Sequence, residues 1–284
     1  MAQQLINGRQ LADKIKDQIA ETVFALNGQH PNLAIILVGE RPDSEIYVHH
    51  KQTEAKKVGI DTHLYQCPED ISQEELLATI NFLNQDQAID GILLQLPLPD
   101  HLNTDELVNA IAINKDVDGF TKKNLEKLKE NDPQAIIPPV FGVILTIIAE
   151  QQFDLTDQKV LIVGNEGIFS ENLAEMLRQF DSQVELLNDI TPQNRAKLDE
   201  AKLLITALGK PHSIKPIDLP EDYLIIDVGI TKKDSKVYGD VDLSSINPQI
   251  NGWATPVPGG VGPMTIALAL NNTLLLYQQH HGSN

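Results

Sequence analysis

A chain of 284 residues is long enough for two domains of ordinary size. Its 40 acidic against 22 basic residues give a net charge of −18, which argues against a nucleic acid or an anionic membrane surface as partner and fits a solvated acidic exterior. The single cysteine, Cys67, excludes an internal disulfide and fits a reducing compartment, and no motif around it marks a catalytic thiol.

The chain opens on polar residues, and Arg9 to Leu26 reads as an amphipathic helix and not as the apolar core of a leader, so a cytoplasmic protein is expected. Leu33–Gly39 is the first apolar run. Asp43 to Gly59 comes next as a helix, with Asp43 or Ser44 as cap and Gly59 as stop. Within it Tyr47, Lys51, Ala55 and Val58 share one stripe at helical spacing, and Lys51 is the residue that does not belong there. Such a lysine either buries its stem and keeps its head in water, or points into a cleft where partial desolvation lowers its pKa and suits it to acid/base work. Tyr47, one turn earlier, reaches the same ligand.

A helix over Ser72–Leu83 leads to the strand Gly91–Leu98, which Gln95 interrupts near its carboxyl end. That amide is either satisfied by loop backbone or orients a catalytic group, and Pro97 and Pro99 stiffen the loop beyond it. In K-D-V-D-G-F (Lys115–Phe120) two acids before a glycine make a turn, or else one carboxylate accepts from the two adjacent N–H groups of an amino-pyrimidine. The charged segment Thr121–Pro133 lacks a strong apolar face and places a domain boundary between Gly119 and Pro139. The longest apolar run, Val140–Ala149, is too short to cross a bilayer, so no membrane partner is expected.

Beyond the boundary, Lys159–Gly164 reads as a strand, and Glu171–Phe180 as a helix. The turn between them has the spacing G-x-x-G-x-x-S (Gly164–Ser170), an imperfect dinucleotide fingerprint in the right context. A strand from Val184 ends in Asp189, about 20 residues after the turn, where such folds hold the adenosine ribose. Lys202–Gly209 and Tyr223–Gly229 are further strands. The loop T-P-V-P-G-G-V-G-P-M-T (Thr255–Thr265) is stiffened by prolines and opened by glycines, which suits close approach of a ligand to backbone. A last helix from about Pro263 to Gln279 is apolar on several faces. Buried strands alternating with helices predict an α/β chain with a mostly parallel sheet and ligands at the carboxyl ends of the strands. The expected domains are 1–120, joined by the C-terminal helix 263–284, and a Rossmann-like nucleotide-binding domain over 136–262.

Together these segments resemble the methylenetetrahydrofolate dehydrogenase/cyclohydrolase family over nearly the whole chain and in the expected order. The resemblance rests on Y-x-x-x-K (Tyr47–Lys51), G-I-L-L-Q-L-P-L-P (Gly91–Pro99), K-D-V-D-G-F, I-D-V-G-I (Ile226–Ile230), G-D-V-D (Gly239–Asp242) and P-V-P-G-G-V-G-P-M-T (Pro256–Thr265). It implies two α/β domains with a folate cleft between them and a homodimer built through the nucleotide domain. It implies that Lys51 is the catalytic lysine, Gln95 the amide that tunes it, Tyr47 the aromatic that positions folate and Asp118 the carboxylate that grips the pterin. Pro97, Pro258, Gly259 and Gly260 then belong to the folate side. Gly164, Asn165, Glu166, Ile168, Asp189, Ala207, Gly209, Ile230, Gly262 and Thr265 belong to a nicotinamide dinucleotide, and no metal is implied.

The implied chemistry oxidises 5,10-methylenetetrahydrofolate to the methenyl cation, which water then opens to 10-formyltetrahydrofolate. The first step chiefly needs alignment, and the second needs proton handling, which suits Lys51. Two motifs depart from the family pattern. P-C-T-P-x-G is here Pro138-Pro139-Val140-Phe141-Gly142, and G-R-S-x-I-V-G-x-P is here G-N-E-G-I-F-S-E-N (Gly164–Asn172). With Asn165 at the basic position, Glu166 beside it and Asp189 at the ribose, NAD is favoured over NADP. A cyclohydrolase with a lost or weakened dehydrogenase is one rival. A catalytically silent folate- or nucleotide-binding protein is another, against which the retention of Lys51, Gln95 and Asp118 speaks.

Overall fold

A computed structural model describes residues 4–165, 167–217, 219–234 and 236–282. In chain order the elements begin β1 (Gln4–Leu5), α1 (Gly8–Phe24), β2 (Asn32–Val38), α2 (Pro42–Lys57), β3 (Asp61–Cys67), α3 (Gln73–Gln85), β4 (Gly91–Leu94), α4 (Thr104–Ala110), α5 (Lys122–Lys129) and α6 (Pro139–Glu150). They continue β5 (Lys159–Gly164), α7 (Ile168–Arg178), β6 (Gln183–Leu187), α8 (Ala196–Glu200), β7 (Leu203–Ala207), β8 (Tyr223–Asp227), the hairpin β9 (Thr231–Lys233) and β10 (Lys236–Tyr238), β11 (Gly252–Ala254) and α9 (Val261–His281). Among the described residues, no helix is long and apolar enough to cross a membrane.

The chain forms two compact units, one of residues 12–139 with 266–284, the other of residues 1–11 with 140–265. These bounds differ from the expected 1–120 and 136–262 at both ends. Residues 4–5 form a strand of the second unit, pairing in parallel with β11 (Gln4↔Trp253, Leu5↔Ala254), and a two-residue exposed strand leaves no pattern in sequence. The charged segment after Gly119 belongs to the first unit because α5 is tied into it. Thr121 caps α5, and Asn124 donates to the carbonyls of Gly119 and Ile136 while accepting from the Ile136 amide.

In the first unit the sheet order is β3-β2-β4, all parallel. The central strand β2 is buried on both faces, as its unbroken apolar run requires. Leu33, Ile35 and Leu37 pack with Ile19 of α1, Ala55 of α2 and Leu270 of α9. Ala34, Ile36 and Val38 face Leu76, Ile80 and Leu83 of α3 and Leu107 of α4. Each of the Leu, Ile and Val side chains among them contributes about 1.5–3 kcal/mol on burial. The helix α3 starts on a capping box in which Ser72 accepts from the Glu75 amide and Glu75 reaches back to the Ser72 amide. Strand β4 ends at Leu94, earlier than expected, because the prolines beyond it cannot continue a ladder.

In the second unit the order is β1-β11-β8-β7-β5-β6, and every pair is parallel. From β5 the chain winds outward to β6, then returns to the other side at β7. This reversal places the switch point at the carboxyl ends of β5 and β7, where doubly wound sheets take their ligands.

Candidate active site

Helix α2 presents Tyr47 and Lys51 half-buried, while Ala55 and Val58, farther along the same stripe, are fully buried. The Lys51 Nζ donates to the Gln95 Oε1 at 3.0 Å. Gln95 stands one residue past β4 and not inside the strand as expected. Its amide N–H still donates to the Ile36 carbonyl at 2.9 Å, and its Nε2 donates to the Leu96 carbonyl at 2.7 Å. The side-chain amide is thus held by loop backbone on one side and turned to the Lys51 ammonium on the other. Burial pushes the Lys51 ammonium below the usual lysine range, and the Asp118 carboxylate opposes the shift. Burial likewise pushes Asp118 above the usual carboxylate range, with Lys51 opposing. Burial also raises the Tyr47 phenol.

Asp116 makes the turn: its Oδ1 accepts from the Gly119 amide and its Oδ2 from the Thr121 amide, both at 2.8 Å. Its pKa is pushed up to about 6, by desolvation first, with hydrogen bonds from Thr121 and Gly119 opposing and the Asp118 charge adding. Gly119 has φ +69°, and a Cβ there would lie 2.7 Å from the Ile136 carbonyl oxygen, so glycine is required. Asn272 of α9 donates to the carbonyls of Val117 and Ile137, each at 2.9 Å. Asn124 and Asn272 thus brace the segment that carries Asp118. The sequence reading missed both; the polar step Asn271-Asn272-Thr273 in the otherwise apolar α9 was the available signal for Asn272, while Asn124 lies in the charged α5, which gives none. Pro97, on the loop after β4, is exposed.

The second unit carries the remaining candidates. At the turn after β5, a Cβ on Gly164 would meet the Ser170 Oγ at 3.0 Å, and that buried hydroxyl donates to the Asn165 carbonyl at 2.9 Å. Ser170 therefore fills the gap between helix and strand and satisfies itself locally. Gly167 caps α7 with φ +143° and has no side chain to satisfy the first turn, so among the described residues that end of the helix is suited to an anion. Glu166 lies outside the described residues. Asn165 and Ile168 are exposed. The rings of Phe141 and Phe169, one from each altered motif, pack 5.6 Å apart at 56°, so the two departures from the family pattern meet in space.

Asp189, two residues past β6, accepts from the Lys210 Nζ at 2.6 Å. Ala207 ends β7. Gly209 has φ +68° with open space where a Cβ would sit, and its carbonyl accepts from the Thr231 hydroxyl at 2.9 Å. Ile230 is exposed. The Pro256 carbonyl accepts from the Gly260 amide at 2.8 Å, which closes the glycine-rich turn on which Pro258 is exposed and Gly259 half-buried. Thr265 donates to the Gly262 carbonyl at 2.7 Å. A helix N-terminus begun by a glycine, bare backbone at Gly167 and Gly209, and a carboxylate after the second strand fit a dinucleotide's diphosphate and ribose.

A model of the tetrahydrofolate dehydrogenase/cyclohydrolase catalytic domain matches residues 6–118, and one of the family's NAD(P)-binding domain matches residues 139–281. The chain belongs to the tetrahydrofolate dehydrogenase/cyclohydrolase family. Bifunctional protein FolD of Sulfurihydrogenibium sp. (strain YO3AOP1) is 40% identical over 279 residues, covering 97% of this chain and 98% of that relative. The solved bifunctional FolD enzyme of Campylobacter jejuni superposes with a TM-score of 0.92 at 35% identity, covering 98% and 99% of the two chains. The Trypanosoma brucei enzyme, solved with NADP and an inhibitor, also gives a TM-score of 0.92, at 27% identity and full coverage of both chains. As a member of this family the chain is an enzyme with methylenetetrahydrofolate dehydrogenase and methenyltetrahydrofolate cyclohydrolase activities, working on folate substrates with a nicotinamide cofactor.

Proposed function

We propose that Lys51 handles the protons of the cyclohydrolase step. The observation that carries this is the 3.0 Å bond from Lys51 to Gln95, made by a lysine whose burial lowers its pKa. When water adds to the methenyl carbon one proton must leave it, when the C–N5 bond breaks the departing N5 must gain one, and the adduct's hydroxyl proton goes to solvent as the formyl C=O forms, so that one proton is released overall. A lysine brought toward neutrality takes the first and returns the second, and such catalysis is worth about 10²–10⁴-fold. Gln95 fixes the direction of the amine, and Asp118 prevents its pKa from falling further while accepting from the pterin's N–H donors. Tyr47, one turn before Lys51, positions the folate. Pro97, Pro258, Gly259 and Gly260 complete the folate contacts.

When bound, a nicotinamide dinucleotide supplies the redox acceptor for the dehydrogenase step. The α7 N-terminus with Gly164, Asn165 and Ile168 receives its diphosphate. Asp189 accepts the free 2′-hydroxyl of the ribose, so that NAD is favoured. Ala207, Gly209, Ile230, Gly262 and Thr265 line the rest. Glu166 belongs to the same turn in sequence. A homodimer through the nucleotide-binding unit and a cytoplasmic location complete the reading, the first on the family resemblance and the second on the single free Cys67.

The test of the proton role is Lys51→Arg. Arginine keeps a positive charge and a donor for Gln95 but cannot give up its proton. Methenyl hydrolysis is expected to fall about 100-fold or more, as it does for loss of a general acid/base. Near-normal hydrolysis in this variant would show that charge, not proton transfer, is what Lys51 supplies.

A further inference from the structure

Lys210 has no role in the chemistry assigned to its neighbours. It follows Gly209 in the turn after β7, and its side chain crosses to Asp189 after β6, with 2.6 Å between Nζ and Oδ2. The start of that side chain is fixed. The Lys210 amide donates to the Asp240 Oδ1 at 2.7 Å, and the Leu208 amide donates to the Asp240 Oδ2 at 2.6 Å. Asp240 is fully buried, and its own amide donates to the Asp227 Oδ1 at 3.2 Å, so I-D-V-G-I and G-D-V-D anchor this turn. The far end is free to move: the Lys210 and Asp189 side chains are 51% and 48% exposed, and pairs of that kind hold weakly. An incoming anion can therefore recruit the ammonium at little cost.

The pair stands at the carboxyl ends of the two strands that flank β5, where a doubly wound sheet receives the adenosine ribose. A carboxylate there accepts a free 2′-hydroxyl and repels a 2′-phosphate, and an ammonium does the reverse. The Lys210 hydrogen bond holds the Asp189 carboxyl below its usual range, so the acid is ionised and the pair is neutral as a whole. We propose that Lys210 is a specificity-determining residue that offsets Asp189 and lets the ribose end accept a 2′-phosphorylated dinucleotide beside the unphosphorylated one. Asp189 sets the preference for the free hydroxyl, and Lys210 limits how strong that preference becomes. The inference rests on the dinucleotide reading of this unit.

The test is direct binding of NADH and NADPH to the purified full-length protein, by nucleotide fluorescence, in wild type, Lys210→Met and Asp189→Asn. Both positions are exposed, and thermal melting checks that each variant is folded. Lys210→Met should weaken NADPH about tenfold or more and NADH by no more than about threefold, the size of one lost charge-assisted contact. Asp189→Asn should move the ratio the other way, toward NADPH. An NADH-to-NADPH affinity ratio that Lys210→Met leaves unchanged overturns the proposal and spares the dinucleotide reading. Binding of neither nucleotide to the wild type overturns both. Methenyl hydrolysis by the wild type needs no dinucleotide and reports on the folate site separately.

Discussion

Asp116 and Asp118 are two residues apart and of one type, yet the fold uses them for different ends. Asp116 holds two backbone amides, and Asp118 faces Lys51 electrostatically. Asp116→Ala strands the Gly119 and Thr121 N–H groups in the interior, and the unfolding free energy should drop by roughly 2 kcal/mol or more, read by urea denaturation. Asp118→Asn should leave stability unchanged or slightly higher, since it removes a carboxylate that burial disfavours, while affinity for a folate analogue falls in calorimetry. Equal losses of stability in the two variants would mean that both acids are turn formers. The sequence named Asp118 but left the turn and the ligand readings open, because spacing does not say which acid meets the amides. Lys51 was legible for a simpler reason: a charge on an apolar stripe is anomalous wherever the helix packs. Asn272 was not, since its task depends on where the Val117 and Ile137 carbonyls come to lie, more than a hundred positions earlier.

Elements with long apolar runs were readable: β2, β5, β7 and β8 are buried on both faces, and burial of that kind shows as unbroken Val, Ile and Leu. Strand β3 was not, because it lies at the edge of its sheet and reads D-T-H-L-Y-Q-C, mostly exposed. The altered motifs at α6 and α7 read as two separate departures and prove to be in contact through Phe141 and Phe169. A double-mutant cycle of Phe141→Leu and Phe169→Leu should give a coupling of about 1 kcal/mol in urea unfolding, the usual worth of an aromatic pair beyond its area. Additive single effects would make the two departures independent. At the start of α1, a Cβ on Gly8 would lie 1.8 Å from the Gly260 carbonyl oxygen, so Gly8→Ala must displace the glycine-rich turn. A loss of about 1–3 kcal/mol is expected, as for other overpacked sites, and a wild-type melting temperature would mean that the turn yields freely.

Across the whole molecule, two buried carboxylates, Asp116 in one unit and Asp227 in the other, have pKa values raised to about 6, by desolvation first. An acid raised in the folded state destabilises it where the group is ionised, at neutral pH, and that cost is relieved as pH falls through 6 toward the unfolded value near 4. The acids whose pKa values are lowered, such as Glu54 and Asp189, act in the opposite sense, but only as pH falls below their unfolded values. The unfolding free energy read by urea should therefore rise between pH 7.5 and 5, by roughly 1 kcal/mol per buried acid, and the midpoint with it, and both should fall again below pH 4. A midpoint that falls steadily from pH 7.5 downward would contradict the assigned burial. The division into two α/β units was visible in the alternation of strands and helices, whereas the return of residues 1–11 to the second unit depends on a strand pairing that spans almost the full chain. The central claim is that this enzyme opens its methenyl substrate through a desolvated lysine held by Gln95. The most direct test is the rate of 5,10-methenyltetrahydrofolate hydrolysis, followed by loss of methenyl absorbance, in wild type and in Lys51→Met. The substitution keeps the buried stem and removes the titratable head, so the protein should stay folded while hydrolysis falls about 100-fold or more; a folded Lys51→Met protein that hydrolyses at close to the wild-type rate would contradict the account.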